Sequence, residues 1–293
     1  MRILHLDAGK EMRGGQWQVL RLVEGLAGAG VESTLLARSG GPLFEAASKR
    51  GWRVEPWGLV RTMLLARRHD LIHAHDARSH TLGAIASSGR LVVSRRVAFP
   101  VGSAWKYRRA RRYLAVSEFV KSVLVAGGVP EEKIAVVYDG VPLLEPVRGS
   151  SVVAPANADD ACKGAPLAVE AARLAGVELK LSSDLEHDLR DAAVLVYITH
   201  SEGLGSGALL AMSAGVPVVA SNVGGLPEII RHGENGLLVE NTPQAIAAAV
   251  RQLLDNPAFA RRIGEAARRT VMERFTVDQM VRRTMEVYRQ VLS

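Results

Sequence analysis

The chain has 293 residues, of which 48% are apolar and 23% are charged, and its formal net charge is +7. This length predicts two compact domains, and the composition is that of an ordinary globular protein. A single cysteine, Cys162, excludes an internal disulfide framework and a cysteine-based metal site, and no apolar run reaches the roughly 18–20 residues that span a bilayer.

The first 140 residues alternate short apolar runs with helical patterns, which are clearest at 15–29 and 117–127. Such alternation predicts a parallel sheet with helices on both faces. We therefore expect one doubly wound, Rossmann-like domain over residues 1–143. Its predicted strands are 2–7, 32–37, 52–57, 70–75, 90–94, 112–117 and 134–140.

A glycine pair, Gly14 and Gly15, lies between the first predicted strand and the first predicted helix. This is the usual place for a phosphate in a doubly wound sheet. The loop is neither a G-x-G-x-x-G dinucleotide fingerprint nor a P-loop. A phosphate contact and a tight turn both remain open interpretations of the pair.

Two histidines, His73 and His75, fall on one side of the strand in "HAHD", and Asp76 follows at its carboxyl end. Metal binding would need a third ligand, and His80 on the following helix is a poor candidate, so we expect no metal here. A histidine at a strand end can handle protons, which makes His75 a candidate catalytic residue. For His73 we favour a hydrogen-bonded core position.

Charge is unevenly distributed along the chain. Residues 1–140 hold 22 Lys and Arg against 12 Asp and Glu, whereas residues 141–293 hold 15 against 18. Residues 90–112 contain eight basic residues and no acid. Such a patch would attract polyanions or an anionic membrane, although a merely solvated face is the alternative. The candidate residues for an acceptor or an anionic surface are Arg95, Arg96, Lys106, Arg108 and Arg109.

A Pro-, Gly- and Ser-rich stretch at 139–153 predicts a linker, after which the alternation resumes. We expect a second Rossmann-like domain over 144–275 and a last helix, 276–293. Two such domains would leave a ligand-binding cleft between the carboxyl ends of their sheets. The second domain's predicted strands are 152–157, 177–182, 194–198, 216–221 and 235–240, its helices are about 163–174, 185–192, 206–214, 226–230 and 243–254, and the tail 257–292 reads as two helices broken near 274–279.

The stretch "SEGLGSGALLAMSAGVPVVAS" (201–221) runs from a glycine-rich loop into a helix and then a strand. Its glycines would let a phosphate or sugar approach the backbone, and the amides at a helix N-terminus attract anions. Glu202 could accept hydrogen bonds from sugar hydroxyls. The alternative is that Glu202 and Ser206 only cap the helix.

A lysine, Lys163, opens the first predicted helix of the second domain in "DACKGAP". A cation beside a helix N-terminus would form an electrostatic cradle for a diphosphate. An ordinary surface lysine is the alternative.

Together, these segments resemble the family 4 (group 1) retaining glycosyltransferases of the GT-B fold. The resemblance covers nearly the whole chain, and the 201–240 block is its most specific part. The segments that carry it are "RGG" (13–15), "DLIHAHD" (70–76), "AVSEFVKSVLVAGGVPEEKIAVVYDGV" (115–141), "KG" (163–164), "SEGLGSGALLAMSAGVPVVASNVGGLPEII" (201–230) and "HGENGLLVE" (232–240).

The resemblance implies metal-independent transfer of a sugar from a nucleotide-sugar donor, with the anomeric configuration retained. It implies that Glu202 contacts the donor sugar and that Lys163 contacts the diphosphate. It also implies that the last helix packs back on the first domain. The further donor-binding residues implied are Gly14, Gly15, Gly203, Leu204, Gly205 and Ser206.

The sequence departs from the family at several positions. The family's second glutamate falls on Leu210, its Gly-Arg pair falls on Asn157 and Ala158, and the histidine that often follows the fifth strand falls on Arg96. The second domain also skips one helix–strand unit. In a sheet ordered 3-2-1-4-5-6 the missing strand would be the edge strand, so we expect a shortened but folded domain.

These features favour an active glycosyltransferase whose acceptor is a glycan, a lipid-linked molecule or another cell-envelope component. The alternative is a weakly active or inactive relative that serves as a sugar-nucleotide-binding or glycan-binding subunit. We expect a cytoplasmic protein that associates with the inner membrane face through residues 90–112. No cofactor and no nucleic-acid partner are expected.

Overall fold

A computed structural model describes residues 1–156 and 164–293, and its backbone contacts divide the chain into two units. Unit 1 comprises Met1–Gly140 and Val277–Ser293, and unit 2 comprises Val141–Thr276. The boundaries between the units fall after residues 140 and 276, whereas the sequence predicted boundaries after residues 143 and 275.

Unit 1 is built on a seven-stranded parallel sheet in which each strand overlaps a predicted strand. The strand order is β3-β2-β1-β4-β5-β6-β7. The chain thus starts in the middle of the sheet and winds outward in both directions, which is the doubly wound topology. The strands are β1 (Arg2–Leu6), β2 (Glu32–Ala37), β3 (Val54–Pro56), β4 (Leu71–Ala74), β5 (Leu91–Arg95), β6 (Arg112–Ala115) and β7 (Ile134–Val136).

Helices connect these strands, and the last helix of the chain also belongs to unit 1. The last helix packs on α1 so closely that a β-carbon on Gly25 would lie 2.5 Å from Val281 Cγ2. Glycine is therefore needed at that crossing. The helices are α1 (Gly14–Gly28), α2 (Pro42–Lys49), α3 (Leu59–Ala66), α4 (Ala77–Ala86), α5 (Ala104–Arg109), α6 (Glu118–Ala126) and α13 (Val277–Leu292).

The apolar face of α13 packs against the sheet of unit 1. Met280, Val281, Val287 and Tyr288 pack with sheet residues such as Val92 and are all buried. Burial of one such side chain contributes about 1.5–3 kcal/mol. The amphipathic pattern of the chain's last helix is explained by this contact.

Unit 2 contains five parallel strands among its described residues, in the order β12-β11-β10-β8-β9. The first two strands of the unit, β8 and β9, lie side by side, and the sheet ends at β9. The expected third strand would lie beyond β9, so the prediction of a shortened second domain is confirmed. The strands are β8 (Ser151–Pro155), β9 (Leu179–Ser182), β10 (Ala192–Tyr197), β11 (Val218–Ser221) and β12 (Leu237–Val239).

The edge strand β9 exposes one charged and one apolar side chain. Lys180 on β9 is half exposed and pairs with Asp188 at 2.7 Å. A charged residue on an edge strand disfavours pairing with a second sheet. Leu181 on the same strand is 44% exposed, so Lys180 is the feature of β9 that opposes such pairing.

Helices of unit 2 pack against this sheet. Val152, Val194 and Val219 form its core with Ile246 and Leu253 of α11. None of the described helices is long and apolar enough to cross a membrane. The helices are α7 (Ala165–Ala175), α8 (Leu185–Asp188), α9 (Ser206–Ser213), α10 (Leu226–Ile229), α11 (Pro243–Leu254) and α12 (Pro257–Arg274).

Candidate functional site

Glu202 lies in the loop between β10 and α9, at the carboxyl edge of the sheet of unit 2. Its carboxylate accepts hydrogen bonds from the Tyr197 hydroxyl to Oε2 at 2.8 Å and from the Gly203 N–H to Oε1 at 3.0 Å. The side chain is only partly buried. The carboxylate is thus held in one orientation and still reaches the surface of this edge.

The helix that follows begins at Ser206, with Gly205 as its N-cap at φ +104°. Glycine is required there, because φ lies in the left-handed region, and it leaves the cap position without a side chain. Neither Glu202 nor Ser206 occupies the N-cap, so the structure does not support the interpretation that they only cap the helix. Gly203 and Leu204 are buried beside this helix start.

The backbone of the Glu202 loop is fixed by the loop after β11. Gly225 N–H donates to the Glu202 carbonyl at 3.2 Å. A β-carbon on Gly224 would lie 2.1 Å from the Glu202 carbonyl oxygen, and one on Gly225 would lie 2.1 Å from that of Gly203. Only glycines allow this approach, so both the backbone and the side chain of Glu202 are held in place.

Leu210, which stands at the position of the family's second glutamate, is buried within α9 at 6% exposure. It offers an apolar side chain where a carboxylate is expected. The candidate cation Lys163 lies outside the described residues, as do Asn157 and Ala158.

The glycine pair of unit 1 opens α1, with Arg13 as the N-cap. Neither Gly14 nor Gly15 has a positive φ, so the backbone conformation does not explain the pair. A β-carbon on Gly15 would meet nothing within 4 Å. The loop therefore offers open space at a helix N-terminus, which is what a bound anion needs.

An aspartate that sequence reasoning missed, Asp7, lies beside this loop at the end of β1. It accepts hydrogen bonds from Gly9 N–H at 2.8 Å and from Gln16 Nε2 at 3.1 Å. Burial and the nearby Asp76 raise the pKa of Asp7 to about 6. Asp76 caps α4 through Arg78 and Ser79 N–H. The only sequence signal for Asp7 is its place after the first strand.

A third histidine, His5, joins His73 and His75 in the core of unit 1. His5 pairs directly with His73 in the register of β1 and β4. One nitrogen from each ring lies within 4.8 Å of the others. The third ligand that sequence reasoning found lacking is thus present, on a neighbouring strand rather than on the helix of His80.

Hydrogen bonds account for both nitrogens of each ring. His73 lies between the Tyr288 hydroxyl at 2.5 Å and Ser94 Oγ at 2.8 Å. His5 contacts His75 Nε2 through Nδ1 at 3.0 Å, and Ser33 Oγ through Nε2 at 3.3 Å. We therefore interpret the cluster as a hydrogen-bond network.

Arg96 fixes the proton positions along this network. Its guanidinium, which can only donate, lies 3.3 Å from His75 Nδ1 and 3.1 Å from Asp139 Oδ1. A neutral His75 must therefore carry its proton on Nε2 and donate it to His5. Burial holds the pKa of His75 well below its ordinary value, with further contributions from His73 and Arg96.

His75, predicted as a catalytic residue, thus has both nitrogens in hydrogen bonds and is only 6% exposed. In this geometry it supports Arg96 rather than presenting a free base at the sheet edge. The side chain of Arg96 is 13% exposed. Arg96 therefore occupies the end of the fifth strand with its guanidinium oriented by two partners.

The predicted basic surface divides into inward and outward side chains. The inclusion of Arg95 in an exposed surface was wrong: it is 8% exposed and donates to the Phe99 carbonyl. Lys106 is half-buried and donates to the Ala77 carbonyl at 3.2 Å. Burial lowers the pKa of Lys106, with Arg95 adding to the effect.

Arg108 and Arg109 are exposed on α5, and the Arg109 guanidinium lies 4.9 Å from the ring centre of Trp105. Large apolar side chains are exposed beside them, which the sequence pattern alone did not indicate. Phe99 is 62% exposed and Trp105 is 46% exposed. The exposed apolar residues of the neighbouring helices are Leu59, Val60, Met63 and Leu64 on α3 and Ile85 on α4.

Two family models match the chain. The model described as "Glycosyl transferases group 1" matches residues 176–270, and the model described as "Glycosyltransferase Family 4" matches residues 12–143. The two matches fall in unit 2 and in unit 1, with three residues of the second match beyond the unit boundary.

Curated relatives match over short segments. The D-inositol 3-phosphate glycosyltransferase of Streptomyces coelicolor is 42% identical over 100 residues, which are 34% of this chain and 22% of that protein. The N-acetyl-alpha-D-glucosaminyl L-malate synthase of Bacillus anthracis is 35% identical over 100 residues, which are 34% of this chain and 26% of that protein. The chain thus spans about a quarter of the length of these relatives.

Among solved structures, Anabaena HepE in complex with UDP and glucose superimposes with a TM-score of 0.86 at 18% identity. The match covers 98% of this chain and 99% of that chain. At this identity the likeness concerns the fold alone, and it extends over nearly the full length of both chains.

Proposed function

Because the chain belongs to the group 1 and family 4 glycosyltransferases and has their GT-B fold, we propose that it transfers a sugar from a nucleotide-sugar donor to an acceptor. The observation that carries this proposal is the oriented, partly exposed carboxylate of Glu202 at the start of α9. Carboxylate oxygens accept hydrogen bonds from sugar hydroxyls, and helix N-termini stabilise anionic diphosphates.

We assign the donor to unit 2. The Glu202 carboxylate would accept hydrogen bonds from the sugar, and the segment from Gly203 to Ser206 would face the diphosphate. The helix dipole and the Lys163 cation would then stabilise the departing nucleoside diphosphate without a metal ion. Retention of the anomeric configuration is part of this proposal.

The donor is a UDP-sugar or another nucleoside diphosphate sugar. HepE was solved with UDP and with UDP-glucose, which supports a nucleotide-sugar site in a chain of nearly this length. Leu210 supplies no carboxylate for the ribose, so nucleoside recognition would rest on other groups of unit 2.

A donor panel tests the function directly. The chain is incubated with UDP-glucose, UDP-N-acetylglucosamine, GDP-mannose and ADP-glucose, and thermal shift and nucleoside diphosphate release are measured. We expect one donor to stabilise the chain by about 3–4 kcal/mol when present at 100 to 1,000 times its Kd and to be consumed. Binding without consumption, even with added acceptors, would instead support the sugar-nucleotide-binding subunit, and no binding would contradict both.

For the acceptor we propose a lipid-linked or other cell-envelope molecule reached at an anionic membrane surface. The Arg109 guanidinium lies 4.9 Å from the ring centre of Trp105, and Phe99 and Arg108 are exposed in the same segment of the chain. Apolar groups that insert and cations that attract anionic headgroups together suit a bilayer interface. We call this group of four side chains the amphipathic surface.

Vesicle binding tests the amphipathic surface. The R108S/R109S double variant is expected to bind vesicles of phosphatidylglycerol and phosphatidylcholine about 30-fold more weakly, because each cation near the surface contributes about 1 kcal/mol. The measurement is co-sedimentation over a salt series, since the attraction must weaken as salt rises.

An R282S/R283S variant on α13 is a matched control, because both arginines are exposed and the net charge changes equally. It should bind like the unchanged chain. Equal losses in the two double variants would reduce the effect to net charge, and binding that does not respond to salt would contradict the electrostatic part of the proposal.

A further inference from the structure

Tyr197, the last residue of β10, makes a contact that the family resemblance did not indicate. Its hydroxyl donates to Glu202 Oε2 at 2.8 Å. Burial and the adjacent carboxylate raise the pKa of Tyr197 well above its ordinary value. The phenol therefore keeps its proton and acts as a fixed donor to Glu202.

The ring of Tyr197 has a defined seat on α9. A β-carbon on Gly207 would lie 2.9 Å from Tyr197 Cε2 and 3.3 Å from Leu185 Cδ2. The ring thus occupies the space that a side chain at position 207 would fill. Gly207 has no positive φ, so the close approach of the tyrosine, rather than the backbone conformation, accounts for a glycine in this helix.

Tyr197 and the Gly203 N–H bond different oxygens of the Glu202 carboxylate. Tyr197 bonds Oε2, and the Gly203 N–H bonds Oε1. Donors from two different positions in the chain therefore hold the plane of the carboxylate. Preorganised acceptors of this kind cost little reorganisation when a ligand binds.

We propose that Tyr197, seated on Gly207, is a positioning residue that orients the Glu202 carboxylate toward the hydroxyls of the donor sugar. This inference rests on the proposed function, in which Glu202 contacts that sugar. It gives Tyr197 no contact with the diphosphate or the nucleoside. Loss of the phenol hydroxyl should therefore affect the sugar-dependent part of donor binding only.

The test compares a nucleotide sugar with its own nucleoside diphosphate by calorimetry. The probe is the donor of the panel that binds most tightly, paired with UDP, GDP or ADP accordingly. Y197F is expected to weaken binding of the sugar nucleotide about tenfold or more, since a hydrogen bond to a charged group is lost. Binding of the nucleoside diphosphate is expected to stay within about twofold.

A double-mutant cycle shows whether Tyr197 acts through Glu202. If it does, Y197F/E202A should bind the donor no more weakly than E202A alone, because E202A leaves no acceptor for the phenol hydroxyl to orient. Additive losses would overturn the proposal. Equal weakening of the sugar nucleotide and the nucleoside diphosphate in Y197F would also overturn it, because that pattern marks a general structural defect.

Two further variants complete the design. G207A displaces the tyrosine ring without removing its hydroxyl and is expected to reproduce the loss seen in Y197F. Y113F removes another buried tyrosine hydroxyl, which donates to the Tyr107 carbonyl at 2.8 Å in unit 1, and is expected to leave donor binding unchanged. Unchanged donor binding in both Y197F and G207A would refute the positioning role while leaving the proposed function standing. An unchanged chain that binds no donor of the panel would refute both.

Discussion

Replacing Glu202 with glutamine is expected to lower kcat/KM for sugar transfer by a factor of about 100 or more while the fold stays intact. The side chain keeps its length and shape, and its amide oxygen can still accept from Tyr197 or from Gly203. The negative charge and one of the two acceptor oxygens are lost. Removal of a single oriented group in a catalytic site has effects of this size.

The measurement is steady-state kinetics on the donor identified by the panel, with thermal unfolding recorded in parallel. E265Q is a suitable control, since Glu265 is exposed on α12 of the same unit and undergoes the same chemical change. Activity within about twofold of the unchanged chain in E202Q would refute the assignment of Glu202. A large loss in E265Q would point to charge or handling effects instead.

Most of the fold could be predicted from the sequence, because strands buried on both faces of a parallel sheet appear as short apolar runs. The runs at 2–7 and 70–75 became neighbouring strands, as the alternation with helices requires. The absence of one strand also had a predictable consequence. Because the doubly wound order places the third strand at an edge, its loss leaves β9 as the border of a folded sheet.

The site was less predictable, because its side chains meet across strand registers that sequence spacing does not reveal. His5 is 70 residues from His75, yet His5 Nδ1 lies 3.0 Å from His75 Nε2. Arg95 and Arg96 look alike in the sequence. One turns inward to the Phe99 carbonyl, and the other reaches Asp139 and His75 at the sheet edge. Charge type alone could not distinguish these directions.

The second expected result is that unit 1 loses stability steeply below pH 6, by about 4 kcal/mol per pH unit. Its buried histidines are neutral when folded. Burial lowers the pKa of His5 to about 3 and that of His80 to about 4. Burial likewise holds the pKa values of His73 and His75 well below the ordinary 6.5.

The sign follows from the protons taken up on unfolding. Between about pH 6 and pH 5 these four histidines are neutral when folded and protonated when unfolded. Asp7 acts in the opposite direction, because its pKa of about 6 keeps it protonated in the folded chain and it releases that proton on unfolding. The unfolded chain therefore binds about three more protons from these groups, and each contributes about 1.4 kcal/mol per pH unit. Burial also lowers the pKa of His69, which adds in the same direction.

Tryptophan fluorescence can isolate this effect, because all four tryptophans, Trp17, Trp52, Trp57 and Trp105, lie in unit 1. Urea unfolding followed by fluorescence at a series of pH values gives the free energy of unfolding of the unit. The dependence should be absent above about pH 8 and steep between pH 6 and pH 5.

The variant H5Q should remove one of these protons and reduce the slope by about 1.4 kcal/mol per pH unit, whatever it does to the absolute stability. The triple variant H187N/H200N/H232N is the control, because these histidines are exposed and belong to unit 2. It should leave the slope unchanged. A fluorescence transition that does not respond to pH would show that the cluster of His5, His73 and His75 is not neutral and buried in the folded chain. The proton positions assigned to His75 and His5 beside Arg96 would then have to be abandoned.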